Sequence, residues 1–256
     1  MSELEVQPVS EPVAAPAGLS QWQRVAYSFS APSKTFEDIK RGNKSWWLPV
    51  VIFALVGYIF SATVYTQIGM QQVVDNQISL NPAKAEKLAQ APPETRALTN
   101  KISIIVTEVA FVASPIIVLI IVALGTLGLW ATINFVFGGK ATYSNLFVVW
   151  LYASLPAIVK SLLGTIIIFA GTAPESFNIK NFAPTNPAAF LNPIDTNKAL
   201  YALLSSLDAV TIWTLVLLAI GTATVAGVKR SSGYIAVFGW WAIFVVIGVG
   251  IAAVFG

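Results

Sequence analysis

Cysteine and histidine are both absent from this 256-residue chain. Their absence removes disulfides, thiolate nucleophiles, the commonest metal ligand and the usual proton shuttle at neutral pH. Charge is scarce too: 11% of residues are charged, against roughly a quarter in a soluble domain, while 56% are hydrophobic. The chain is built for a solvent other than water. The formal net charge of +3 is small, and the fifteen Lys and Arg residues are scattered rather than gathered into a basic stripe. Nucleic acid is therefore not an expected partner. No carboxylate cluster has metal-site spacing, and Gly138-Gly139-Lys140 lacks the spacing and preceding strand of a phosphate loop. A serine nucleophile, Ser154 or Ser161, would have only Lys160 as its base and no third group to orient it. No catalytic residue, metal or cofactor is expected, and the chain reads as a non-enzyme.

What is present is a series of long apolar runs. A hydrocarbon core about 30 Å thick needs about 20 apolar residues in helix. Five runs qualify: 46–67, 102–137, 145–170, 200–228 and 234–255. The fold expected is an all-α integral membrane protein, a bundle of about five transmembrane helices. The second run, about 36 residues, would be roughly 54 Å long as helix, more than one crossing and less than two with a turn. It reads as one long tilted helix kinked near Pro115, with a re-entrant break at Gly125 and Gly128 as the alternative. Trp46, Trp47, Tyr65, Trp150, Trp213, Tyr234, Trp240 and Trp241 mostly lie near run ends and read as interfacial anchors.

The segments outside the runs differ in kind. Residues 1–20 are rich in Pro, Ala, Val and Glu with no basic n-region, so they read as a disordered tail rather than a signal peptide. Residues 21–45 mix aromatic and polar positions (Trp22, Tyr27, Phe29, Phe36) and read as short amphipathic segments on the cytoplasmic membrane surface. A short helix is expected over Pro82–Gln90, ending at Pro92-Pro93, and turns over residues 171–196, where prolines and asparagines crowd.

Orientation follows the basic residues. Lys34, Lys40, Arg41 and Lys44 precede the first run, Lys140 sits in the second connection and Lys229-Arg230 fill the fourth. Basic residues near run ends stay on the cytoplasmic side, which places the N terminus inside and the C terminus outside. The opposite face has nearly as many basic residues, but they are diluted with acids through two long loops.

Three charges fall inside the runs: Glu108, Lys160 and Asp208. Each costs about 2.5 to 3.5 kcal/mol on insertion scales. With the topology above, all three lie in the outer half of the bundle. Pro156 stands one turn before Lys160 and Pro115 two turns after Glu108, so kinks and charges coincide. One reading is a two-acid, one-base cluster facing the bundle interior; the other leaves Glu108 and Asp208 interfacial and lets Lys160 snorkel outward. Small-residue pairs, Gly57 with Ser61, Ala223 with Gly227 and Gly248 with Ala252, allow close helix packing within the bundle or in a homo-oligomer.

Several local patterns resemble one family. Pro32-Ser33-Lys34-Thr35-Phe36-Glu37-Asp38-Ile39 followed by Trp46-Trp47-Leu48-Pro49 resembles the opening of bacterial members of the Yip1 domain family. Gly138-Gly139-Lys140-Ala141-Thr142-Tyr143 with Tyr152-Ala153-Ser154-Leu155-Pro156 is similar to its central loop and third helix. Leu207-Asp208 through Ile212-Trp213, then Gly221 and Gly227-Val228-Lys229, is similar to its fourth helix. The resemblance implies five membrane helices, a cytoplasmic N terminus and, for the bacterial branch, the cytoplasmic membrane. Eukaryotic members are associated with Rab GTPases and vesicle traffic. The long Pro-rich loop and compact connections depart from that group, so the resemblance implies a membrane organiser or partner-binding scaffold. A transporter or channel using Glu108, Lys160 and Asp208 is the alternative.

The lack of cysteine makes the orientation directly testable. In intact cells a membrane-impermeant maleimide should label Gln90→Cys at once and Lys40→Cys only after permeabilisation. The reverse pattern would invert the topology.

Overall fold

Helices end in this chain where a proline removes a backbone donor or where a side chain can cap the turn that follows. The computed structural model describes residues 18–255, so most of the tail read over 1–20, up to residue 17, falls outside it. Among the described residues there are helices and turns but no strands.

Ser20 opens α1 (Gln21–Ser30) through a capping box: its hydroxyl accepts from the Gln23 N–H at 3.2 Å, and Gln23 Oε1 accepts from the Ser20 N–H at 2.9 Å. Pro32 then starts α2 (Pro32–Lys40), and the two helices form a hairpin. The first membrane helix, α3 (Trp47–Thr63), continues through one π-helical turn, Val64–Ile68, and stops at Gly69, whose φ is 85°. Helices α4 (Met70–Ser79), α5 (Pro82–Gln90) and α6 (Pro93–Val112) follow.

The second apolar run is not one helix. It breaks at Ala113, and the span proper is α7 (Ser114–Ala131) with its π-helical extension Thr132–Val136. The physical reason is Pro115, which has no N–H to continue the α6 ladder. The Ile116 N–H bonds back to Ala113 instead, and the freed Val112 carbonyl accepts the Tyr58 hydroxyl at 3.0 Å. The third run is likewise two helices, α8 (Tyr143–Ala153) and α9 (Ala157–Phe169), joined by a tight turn through Ser154–Pro156. The fourth run divides into α10 (Lys198–Ser206) and the spanning α11 (Ala209–Ala226), which Gly227 ends in the left-handed conformation at φ 68°. The last span begins four residues earlier than its sequence reading, as α12 (Arg230–Phe255).

Five helical stretches are long and apolar enough to cross a membrane: Trp47–Ile68, Ser114–Val136, Tyr143–Phe169, Ala209–Ala226 and Arg230–Val254. The molecule is an all-α membrane protein, and its many exposed Ile, Leu, Val and Phe side chains on α7 and α12 are the surface such a protein offers to lipid.

Two apolar clusters hold the bundle. The larger packs Phe36 and Ile39 of α2 against Val149 and Tyr152 of α8 and Leu217 and Leu218 of α11. Gly221 makes this possible, because a Cβ there would lie 2.5 Å from Val149 Cγ1 and 3.0 Å from the Phe36 ring. The N-terminal hairpin, read over 21–45 as amphipathic segments on the membrane surface, folds one side into the bundle: Arg24, Ser28, Thr35 and Asp38 are buried, while Gln23, Lys34, Glu37 and Lys40 stay exposed. The smaller cluster joins Phe60, Val64, Ile68, Met70, Val73, Ile168 and Phe177, and so gathers α3, α4, α9 and the loop after α9. The Pro- and Asn-rich loop does not hang free. It forms short 3-10 turns and buries Phe177, Ala183 and Ala188.

Candidate functional site

Chain direction brings the two long loops, 69–100 and 171–196, to one end of the bundle, called here the loop face. The N-terminal hairpin and the short second and fourth connections meet at the other, where the Lys140 N–H bonds the Ala226 carbonyl at 3.0 Å.

The structure joins two of the three charges singled out in the sequence. Lys160 Nζ lies 2.8 Å from Asp208 Oδ2, and the two side chains are 23% and 3% exposed. Asp208 is not inside a helix, as a continuous run over 200–228 would require. It is the N-cap of α11, its Oδ1 accepting from the Thr211 N–H at 2.9 Å. The loop completes the site: the Thr185 hydroxyl donates to Asp208 Oδ2, and the Ala209 N–H donates to the Thr185 carbonyl at 2.9 Å. Phe182 from the same loop stands over Lys160, with Nζ 5.6 Å from the ring centroid. Phe182 reaches this position because residue 164, one turn along α9 from Lys160, is glycine; a Cβ there would come within 2.5 Å of the ring. One carboxylate therefore binds α9, α11 and the loop at a single point.

Glu108 does not belong to this group. It makes no ion pair or hydrogen bond among the described residues and lines a separate groove with Tyr58, Ser61, Tyr65 and Thr66. Because the second run breaks at Ala113, Glu108 rides on α6, which packs on α4 rather than on α9. Pro115 and Pro156 both stand at helix breaks: Pro115 in the first turn of α7, and Pro156 immediately before α9. The single hydrogen bond that Lys160 Nζ makes among the described residues goes to Asp208, so neither Ser154 nor Ser161 has it as a base. Of the small-residue pairs, Ala223 is buried where α11 crosses α12 close to Gly233, whereas Gly57 and Gly248 face open space.

A second buried charge went unread in the sequence. Arg24 of α1 is completely buried, with Nε 3.6 Å from Asp38 Oδ2 and Nη1 3.2 Å from both the Asn43 and Ser45 carbonyls. Its guanidinium lies over the Tyr152 ring, 4.9 Å from the centroid, and the Tyr152 hydroxyl donates to the Ser45 carbonyl at 3.3 Å. Asp38 also accepts from the Leu19 N–H at 3.0 Å and from Asn43 Nδ2 at 2.9 Å. The hairpin, the strap leading into α3 and the middle helix α8 are thereby clamped together. In the sequence, Arg24 and Asp38 fourteen residues apart look like ordinary surface charges. Only the hairpin turn at Pro32 makes them neighbours.

Among the described residues no group of three or more acidic side chains could hold a metal ion. Each ion pair links separate helices: Arg24–Asp38 joins α1 to α2, and Lys160–Asp208 joins α9 to α11. The sequence profile of the Yip1 domain matches residues 26–252. The chain belongs to the Yip1 domain family. No curated protein and no solved structure matches it. The Yip1 domain covers the first four spans and all but the last two residues of the fifth, and it includes Asp38, Tyr152, Lys160 and Asp208 but not Arg24.

Removing one partner of a buried pair leaves the other charge uncompensated, at a cost of about 3–5 kcal/mol, whereas removing both charges is far milder. Lys160→Met should therefore unfold at markedly lower temperature in detergent than the native chain, and Lys160→Met/Asp208→Asn should recover much of the loss. Asparagine keeps the cap on α11. Equal stability of the native chain and Lys160→Met would show that the pair does not fasten the bundle.

Proposed function

We propose that this Yip1-domain protein is a non-enzymatic membrane scaffold, seated in the bacterial cytoplasmic membrane with its N terminus in the cytoplasm, whose partners are other membrane proteins or further copies of itself. The reading rests on one observation above the others. Each buried charge faces a counter-charge drawn from another chain segment, Arg24 on Asp38 and Lys160 on Asp208, and each pair is shared among several segments. A bundle whose charges are spent on cohesion is suited to presenting surfaces rather than moving protons or ions. The concentration of Lys34, Lys40, Arg41, Lys44, Lys140, Lys229 and Arg230 toward the hairpin face supports the cytoplasmic N terminus.

A specific feature keeps a transporter as the second reading. The breaks at Ser154–Pro156 and Leu207–Asp208 both adjoin the Lys160–Asp208 pair, and interrupted helices meeting at a charge are the usual architecture of a transport site. Against it, neither Lys160 nor Asp208 lines the Glu108 groove, the loop-face groove around Asn76 and Asn181 or the apolar groove around Gly125 and Trp240.

Two measurements on the same preparation separate the readings. A photo-crosslinker at Ile247, exposed on α12, should capture defined membrane-protein bands or a dimer of this chain in native membranes. Proteoliposomes carrying the protein should leak ions and small solutes no faster than protein-free vesicles. Flux above that background, lost in Lys160→Met/Asp208→Asn while the fold is retained, would overturn the scaffold and establish the transporter.

A further inference from the structure

Glu108 lines a groove between two helices and has no counter-charge among the described residues. It is exposed, and none of its described neighbours donates to it. Residues 1–17 contain no lysine or arginine that could reach it. The groove holds about 560 Å³ and runs between α6 and the end of α3, with walls of Tyr58, Ser61, Tyr65, Thr66, Phe111 and Glu108 itself.

Its depth can be fixed from two sides. The span Ser114–Val136 has 23 residues and by itself fills the hydrocarbon core, about 34 Å at 1.5 Å per residue. Glu108 precedes that span by six residues and so lies beyond the core, toward the loop face. On the opposite wall, Tyr65 and Thr66 belong to the π-helical turn that closes the first span at the same end. Both walls place the groove where head groups meet acyl chains.

A carboxylate at that depth attracts a cation, and the cation that a bilayer itself supplies there is a lipid head group. The groove chooses among head groups by hydrogen bonding. Glu108, Ser61 and Thr66 are all able to accept, and the Tyr58 hydroxyl is already committed to the Val112 carbonyl. A primary ammonium carries three N–H donors for such acceptors, a choline group has none, and an anionic head group would be repelled. Phe111 and Val112 offer apolar contact to the glycerol and upper acyl chain below. We infer that the Glu108 groove is a binding site for an aminophospholipid, phosphatidylethanolamine, from the leaflet on the loop face. This goes beyond the scaffold reading and does not depend on it.

Native mass spectrometry of the full chain, exchanged into micelles with phosphatidylethanolamine, phosphatidylcholine or phosphatidylglycerol of identical acyl chains, tests the assignment. The native protein should retain about tenfold more phosphatidylethanolamine than phosphatidylcholine, the ratio one charge-assisted hydrogen bond provides. Phosphatidylglycerol should be retained least. Glu108→Gln should bring the first two lipids to parity, and Ser61→Leu, which fills the groove but keeps the carboxylate, should do the same. Because Glu108 is exposed and unpaired, its variant should unfold at the native temperature. Equal retention of the lipids by the native protein, or a preference that survives both substitutions, would overturn the site. A Glu108-dependent dimer formed without lipid would give the groove to a second copy instead.

Discussion

A charge taken into a low-dielectric bundle must meet an opposite charge, and the architecture follows from how this chain meets that demand twice. At the hairpin end the Arg24 guanidinium is surrounded by Asp38, two backbone carbonyls and the Tyr152 ring. At the loop end the Lys160 ammonium is held by Asp208 and Phe182. Each pair acts together with an apolar cluster: the hairpin also buries Phe36 and Ile39 against α8 and α11, and the Pro-rich loop buries Phe177 against α3, α4 and α9.

The same demand applies, more weakly, to the backbone. Where a helix breaks, backbone carbonyls lose their partners within the helix. Polar side chains from neighbouring segments repair them: Tyr58 at the break before α7, and Trp130 and Asn134 on the Ala141 carbonyl after it. Asn76 of α4 donates to the Pro174 and Phe177 carbonyls of the loop at 2.7 and 2.9 Å. Polar side chains that look out of place in an apolar chain sit where the backbone needs them.

Much of this was legible in the sequence, and the rest fails for identifiable reasons. Apolar length located all five spans, because solvation by lipid is a property of composition averaged over about 20 residues. The helix-favouring residues of Pro82–Gln90 located α5, since helix propensity is local. Subdivision of the runs was harder. Pro115 signalled a kink, but whether a kink becomes a break depends on what accepts or donates nearby, here Tyr58, which lies 54 positions earlier in the sequence. Asp208 looked like an ion in the first turns of a longer helix because Leu203, Leu204 and Leu207 continue the apolar pattern across the break; only the fold shows that it caps α11. Topology and charge brought Lys160 and Asp208 to the same half of the bundle but left open whether they met or lay apart at the interface. Grouping Glu108 with them did not survive the break at Ala113, which moved it onto another helix. Arg24 and Asp38 carried no signal at all, since their meaning arises from a hairpin turn and a buried pocket that periodicity does not encode.

The order in which these parts leave the ribosome gives the loop-end pair a temporal side. Lys160 precedes Asp208 by 48 residues, and Thr185, the third member of the group, lies between them. At roughly 5–20 residues per second of synthesis, the lysine spends about 2 to 10 seconds without its counter-ion while the third span is already made. During that interval only its long stem, extended toward the head groups, keeps the ammonium solvated. The bundle is consequently open at the loop end until the fourth span arrives, and its closure reports that the loop, the cap and the span have all been built in the right order.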